Sequence, residues 1–366
     1  MLIQKNTKRS KNGLHLSLLM KTTTHIRGLD ALRAISILFV ILNHAGIGRL
    51  MTENSFVAIH VYPLFSGEAG VRIFFVISGF LITHLLVQEK KAHGRINMQN
   101  FFIRRFLKLF PPLIILFSIL LLFIALDWST LDWYAIGMAF FFLFNYVPFA
   151  HYLPELAHMW SLGVEEQFYV FWSICIAFSN RIQTWPWIAG ACILLSLLVP
   201  LTYEAAFFEN AFLPNRWFFP ASAPIFIGCI AALLIYQRGN RAVSLANQRV
   251  LIVAAILCYF NSIFVGEYSP HVSEMIQATG VALFIVWITQ NQWGGTVDLL
   301  EVKWLRFIGK ISYGLYVYQG IFLLTGPGSE LKIRQLPIAL PLLCLLAVVS
   351  YYFVEKPVLT WKEKFR

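Results

Sequence analysis

Charge is scarce in this chain. Only 13% of its 366 residues are Asp, Glu, Lys or Arg, while 58% are hydrophobic; ordinary soluble domains carry roughly 25% charged residues. No gap between its apolar runs is long enough to bury a core of its own, which excludes a separate soluble domain. It has no P-loop and no metal-ligand spacing, so nothing points to nucleotide hydrolysis or to a metal centre. Cysteine is equally sparse. Cys175, Cys192, Cys229, Cys258 and Cys344 all lie in apolar runs without a CxxC, and read as small packing residues. Internal repeats and low-complexity tracts are absent. The basic N-terminal arm has too short an apolar stretch, LHLSLLM, and no clear cleavage site for a removed signal peptide.

What remains is a series of apolar runs, each of about 17–25 residues and long enough to cross a bilayer. They predict an all-α polytopic membrane protein with about ten transmembrane helices, near 29–49, 70–87, 111–126, 162–179, 186–201, 216–236, 250–266, 272–290, 311–327 and 336–354. With the N-terminus in the cytoplasm, 23 of 29 Lys and Arg fall on that side. This is the positive-inside pattern, and it places both termini in the cytoplasm. The net charge of +11 therefore reports topology and contact with anionic lipid, not nucleic acid. A full crossing by 133–150, WYAIGMAFFFLFNYVPFA, would turn every later basic loop outward. That segment is expected to be re-entrant, interfacial or packed in a cavity.

Ionisable groups inside these runs need a reason, because hydrocarbon makes them costly. GLDALRAISILFVILNH carries Asp30, Arg33 and His44. Arg33 and His44 are eleven residues apart, so they share a helix face about 16 Å from end to end, with Asp30 one turn below Arg33. An Asp30–Arg33 pair and a hydrogen-bonded core histidine would explain them structurally. A His44 general base would explain them chemically. Ser78-Gly79, in the next run, reads as close helix packing or as room for a ligand. NFFIRRFLKLFPP sets Arg104, Arg105 and Lys108 at the membrane surface, as a lipid anchor or a phosphate clamp. HMWSLGVEEQFYVFW puts Glu165 and Glu166 in an aromatic-rich span, where a packing role is hard to assign.

Together with GVRIFFVISGFLI, IGKISYGLYVYQ and SYYFVEKP, these segments resemble the acyltransferase-3 family of integral-membrane acyltransferases, including the O-antigen and exopolysaccharide O-acetyltransferase-like members. Six motifs stand in the family's order over about 26–357, flanked by a basic cytoplasmic arm at 1–25 and a tail at 358–366. The resemblance implies a bacterial inner-membrane enzyme. Its acyl group, most often acetyl, comes from acetyl-CoA as co-substrate and goes to a hydroxyl of a cell-surface or exported glycan, such as lipopolysaccharide or a lipid-linked sugar. It matches the family's Arg-x10-His to Arg33 and His44, its Arg-x-x-Arg to Arg105 and Lys108, and its Glu-Glu to Glu165 and Glu166.

Three departures accompany the match. Arg72 stands for the family's usual Asp, Ala69-Gly70 for Gly-Gly, and Gln319 for a histidine. Lys108 offers a point charge where Arg would offer a fork. The short tail after FVEKP leaves no room in this sequence for the outer esterase-like domain of some relatives. One domain is then expected to do the work, or a partner supplies the rest.

The expected mechanism has Arg33, Arg105 and Lys108 holding the phosphates of acyl-CoA. His44 acts as general base or brief acyl carrier. Asp30 sets the local charge or orients a basic partner, while Glu165 or Glu166 orients His44 or binds acceptor hydroxyls. Acylation of a small secreted molecule, a transporter, and a non-catalytic partner of a polysaccharide-assembly complex are the alternatives. The lack of repeats argues against the transporter. Intact Arg33, His44 and Glu165-Glu166 argue against the silent partner.

Overall fold

The structure is a computed structural model, and it describes residues 26–46, 56–179, 181–206, 214–238, 245–265, 270–323 and 331–362. The described residues form helices and no strand. Hydrocarbon dictates this, since a helix satisfies its own backbone hydrogen bonds where water cannot. Eleven helices carry the fold: α1 (Leu29–His44), α2 (Gly67–His93), α3 (Met98–Ala125), α4 (Trp133–Phe140), α5 (Met159–Phe178), α6 (Trp185–Ala206), α7 (Phe218–Arg238), α8 (Leu245–Tyr259), α9 (Pro270–Gln290), α10 (Lys303–Phe322) and α11 (Ala339–Ser350). A π-helical turn, Tyr351–Glu355, continues α11 into Lys356–Lys362.

Among the described residues, six stretches are long and apolar enough to cross a membrane: Val57–His93, Met98–Ala125, Ile182–Val199, Phe218–Gln237, Val272–Gln290 and Ala339–Trp361. The chain is thus a multi-pass membrane protein. The expected ten spans are not all reached on this measure among the described residues, for physical reasons. The described part of α1 has only 16 residues, and α8 has 15. α5 is 20 residues long but carries Glu165, Glu166 and Gln167, and α10 begins with Lys303, Arg306 and Lys310. The expected arm at 1–25 lies outside the described residues, as do 363–366 of the expected tail.

Segment 133–150 does not cross. α4 has eight residues, about 12 Å of helix, and three 3-10 turns follow it. Asp132 caps α4 by accepting from the Ala135 N–H at 2.9 Å. The segment is then pinned to α5, because Gln167 Nε2 donates to the Phe142 carbonyl at 2.8 Å and to Asn145 Oδ1 at 2.9 Å.

Small residues set the helix crossings. A Cβ on Gly79 of α2 would lie 1.8 Å from the Ile225 carbonyl of α7, and one on Gly228 would lie 2.1 Å from the Val76 carbonyl. The glycine of Ser78-Gly79 is therefore a packing residue. Gly309 of α10 likewise abuts the Asp30 carbonyl at 2.0 Å from its virtual Cβ. These approaches bring α1, α2, α5 and α10 around one interior, while Ile114, Leu122, Val250 and Leu257 point outward, as lipid-facing residues should.

Candidate active site

The interior carries two polar layers, one near each end of α1. In the first, Arg33 pairs with Asp30 at 3.5 Å and lies within electrostatic range of Glu165 and Arg105. Arg105 stacks its guanidinium over the Tyr169 ring at 4.3 Å. Lys108 interacts electrostatically with Glu165, Glu166 and Glu355. Glu165 is 5% exposed, and its Oε1 accepts from both the Ser78 and Tyr169 hydroxyls. Glu166 Oε1 is buried and has no hydrogen-bond partner. Arg33, Arg105, Lys108, Glu165 and Glu166, separated by up to 133 positions in the sequence, thus meet in one cluster. Arg104 pairs with Glu89 at 3.3 Å.

α10 runs between the layers as a stripe of hydroxyls at helical spacing, Ser312, Tyr313 and Tyr316. Tyr313 donates to the Leu109 carbonyl of α3 at 3.0 Å. A small cavity of about 20 Å³ lies beside this stripe, walled by Ser36, Ser161, Glu165, Ser312, Tyr313 and Tyr316. It is large enough for about one water. The Ser161 and Tyr316 hydroxyls are hydrogen-bonded to each other at its edge. A second, open crevice of about 570 Å³ reaches the first layer from the side, with Arg105, Glu166, Phe102, Phe142 and Tyr169 in its wall.

The second layer holds His44 at the end of α1, together with His158. Glu165 is engaged with Ser78, Tyr169 and the cations, and His158 is a titratable group within electrostatic range of His44. Sequence reading missed this histidine. Its signal was the first letter of HMWSLGVEEQFYVFW, two helical turns ahead of Glu165. Gln319 is fully buried, and neither of its side-chain polar atoms has a hydrogen-bond partner. Arg72 is anchored outside both layers. Its Nε donates to Gln277 Oε1 at 2.8 Å and its Nη1 to Glu274 Oε1 at 2.9 Å. No group of three or more metal-ligating side chains occurs among the described residues.

Comparison with known proteins identifies relatives of the whole described bundle. The peptidoglycan O-acetyltransferase OatA of Listeria monocytogenes is 25% identical over 375 aligned positions, covering 93% of this chain and 57% of the relative. The O-acetyltransferase OatA of Staphylococcus aureus is 25% identical over 378, covering 93% and 58%. The chain thus spans somewhat more than half the length of these curated relatives. No solved structure matches. The profile of the acyltransferase-3 family, described as an acyltransferase domain, matches residues 26–355, and the chain belongs to that family.

Proposed function

We propose that this protein is an O-acyltransferase that moves an acetyl group from acetyl-CoA to a hydroxyl of a cell-wall glycan. One observation carries the reading: Arg33, Arg105 and Lys108 converge from two helices at one end of α1, and His44 stands at its other end. Phosphates need clustered cations, and Arg supplies forked donors for them. The donor set fits on those terms, with one condition. Glu165 and Glu166 share the cluster, so phosphate must displace carboxylate from the cations as it binds. The pantetheine arm then follows the α10 hydroxyl stripe over about 16 Å, past the Ser161–Tyr316 contact. His44 takes the proton of the attacking hydroxyl, or carries the acyl group between two half-reactions.

Relatives named for peptidoglycan favour a cell-wall acceptor over lipopolysaccharide or another lipid-linked sugar. The positive-inside count supports a cytoplasmic cation layer, cytoplasmic termini and residence in the bacterial inner membrane. The test is mass spectrometry of ester-linked acetyl groups on purified cell wall. It compares a strain lacking the protein with strains restored by wild type or by His44→Ala at equal membrane abundance. Wild type should restore the ester, with the variant at least 100-fold lower. Full restoration by His44→Ala would remove His44 from the chemistry. No protein-dependent ester in any strain would remove the glycan acceptor and turn attention to small secreted molecules.

A further inference from the structure

A histidine on α10 is what the family resemblance leads one to expect, and Gln319 stands there instead. The fold brings a second imidazole from another direction. His158, immediately before α5, is 4% exposed, and neither ring nitrogen makes a hydrogen bond of ordinary geometry. Buried polar groups are nearly always paired, so such an exception asks for a reason. The ring is nonetheless held firmly. Its backbone carbonyl accepts from the Tyr316 hydroxyl at 2.9 Å, and the Tyr316 ring meets it edge-on at 5.5 Å between centroids. The Val317 backbone lies beside it, and His44 is within electrostatic range. Gly320 makes the space, since a Cβ there would come within 2.6 Å of Nδ1. The nearby Glu155 carboxylate is turned away to Arg334 at 2.8 Å and Ser129 at 2.9 Å. The ring is thus fixed through its backbone and one aromatic face, and among the described residues its nitrogens find only a poorly aligned contact with the Val317 backbone.

We propose that His158 is a second catalytic imidazole, donating a hydrogen bond from its ring N–H to the carbonyl oxygen of the acyl group while His44 handles the proton. The inference rests on the acyl-CoA reading above. The acceptor oxygen bonds to the acyl carbon, and its proton passes to His44. The carbonyl electron pair moves onto oxygen, where the His158 N–H holds it. When that pair returns, the carbon–sulfur bond breaks, and the sulfur leaves with its electrons and takes the proton from His44. One ester and one free thiol result, and both imidazoles end as they began. A neutral imidazole has the single N–H this role requires. A donor fixed in advance, in a dry site, is the arrangement that stabilises a developing oxyanion.

The test uses the full chain in lipid nanodiscs with radiolabelled acetyl-CoA and soluble peptidoglycan fragments. Wild type is compared with His158→Phe, which fills the space without a donor, and His158→Gln, which keeps an N–H. Acetyl-CoA affinity is measured separately on each. His158→Phe should lower kcat by about 10²–10³ and leave acetyl-CoA affinity within about twofold. His158→Gln should recover at least about tenfold of that loss, which a space-filling role would not produce. A His158→Phe enzyme with wild-type kcat overturns the proposal. So does a His158→Gln enzyme no better than His158→Phe when both bind acetyl-CoA normally. If His158→Phe does not reach the membrane, His158→Met takes its place under the same criteria. Wild type that transfers acetyl to the fragments shows the underlying reading to be sound whatever the variants do. Wild type that binds and transfers nothing overturns that reading itself.

Discussion

The two polar layers along α1 differ in how completely they are satisfied. At the Arg33 end, cations and carboxylates face one another, Glu165 takes two hydroxyl donors on one oxygen, and a single buried atom of the cluster, Glu166 Oε1, lacks a hydrogen bond. At the His44 end, four buried nitrogen and oxygen atoms of His158 and Gln319 have no hydrogen bond within the described chain. A self-paired ionic layer can exist without substrate, and its ligand must compete its way in. The unsatisfied His158 and Gln319 atoms of the second layer carry a standing desolvation cost that a substrate can relieve. The first arrangement suits binding and release of a charged carrier. The second suits stabilisation of a charge that exists only in passing.

The comparison can be broken at several points. The largest effect after loss of the imidazoles is expected at the support of the unpaired layer. Glu155 and Arg334 form a buried pair at 2.8 Å, each with a side chain 6% exposed. Removing one partner of such a pair costs about 3–5 kcal/mol. Glu155→Ala should therefore lower the melting temperature of the detergent-purified protein by several degrees, whereas a surface change such as Asp298→Ala should not. An unchanged melting temperature would mean that this end is not held by the pair.

The self-paired layer should respond differently. Arg105→Ala is expected to raise the KM for acetyl-CoA roughly 10–150-fold, the loss of one charge-assisted contact of about 1.5–3 kcal/mol, with a smaller change in kcat. A pure kcat defect would place Arg105 in the chemistry and blur the division between the layers.

The smallest effect lies outside both. Asp132 caps α4 and meets His151 Nδ1 at 2.9 Å. The Ala135 N–H, and then His151, hold its carboxyl below the usual carboxylate range. Because the folded value is depressed, this stabilisation is present above the unfolded value near pH 4 and is lost as pH falls through the folded one. Asp132→Ala should cost about 1 kcal/mol at neutral pH. In thermal unfolding, wild type and variant should converge as the buffer is acidified below roughly pH 4. A gap that persists in acid would show that the carboxylate charge contributes nothing there.

Much of the first layer was legible before any coordinates. Residues three and four apart share a helix face, so the Asp30–Arg33 pair and the joint placement of Arg105 and Lys108 follow from spacing. The basic loops also foretold that 133–150 would not cross. Other features were hidden because they depend on distant partners. His158 precedes its apolar run and reads as a loop residue until α10 arrives beside it. Glu165 suggested a partner for His44, yet Ser78 and Tyr169 claim its oxygen. Arg72 read as damage to a motif, and only Gln277 and Glu274, about two hundred positions on, explain how its charge is accommodated. The α5 and α10 runs were read correctly as apolar. Two glutamates and a glutamine in α5, and three basic residues in α10, keep them below the apolarity of an ordinary span.

That Arg72 contact has a practical consequence for anyone grafting motifs between relatives. Restoring the family's usual aspartate with Arg72→Asp would point a carboxylate at Glu274 across a gap now closed by opposite charges. The swap would read as a repair in the sequence and act as a lesion in the bilayer. A faithful transplant moves α2 together with the facing turn of α9, so that the unit exchanged is a pair of helices rather than a letter.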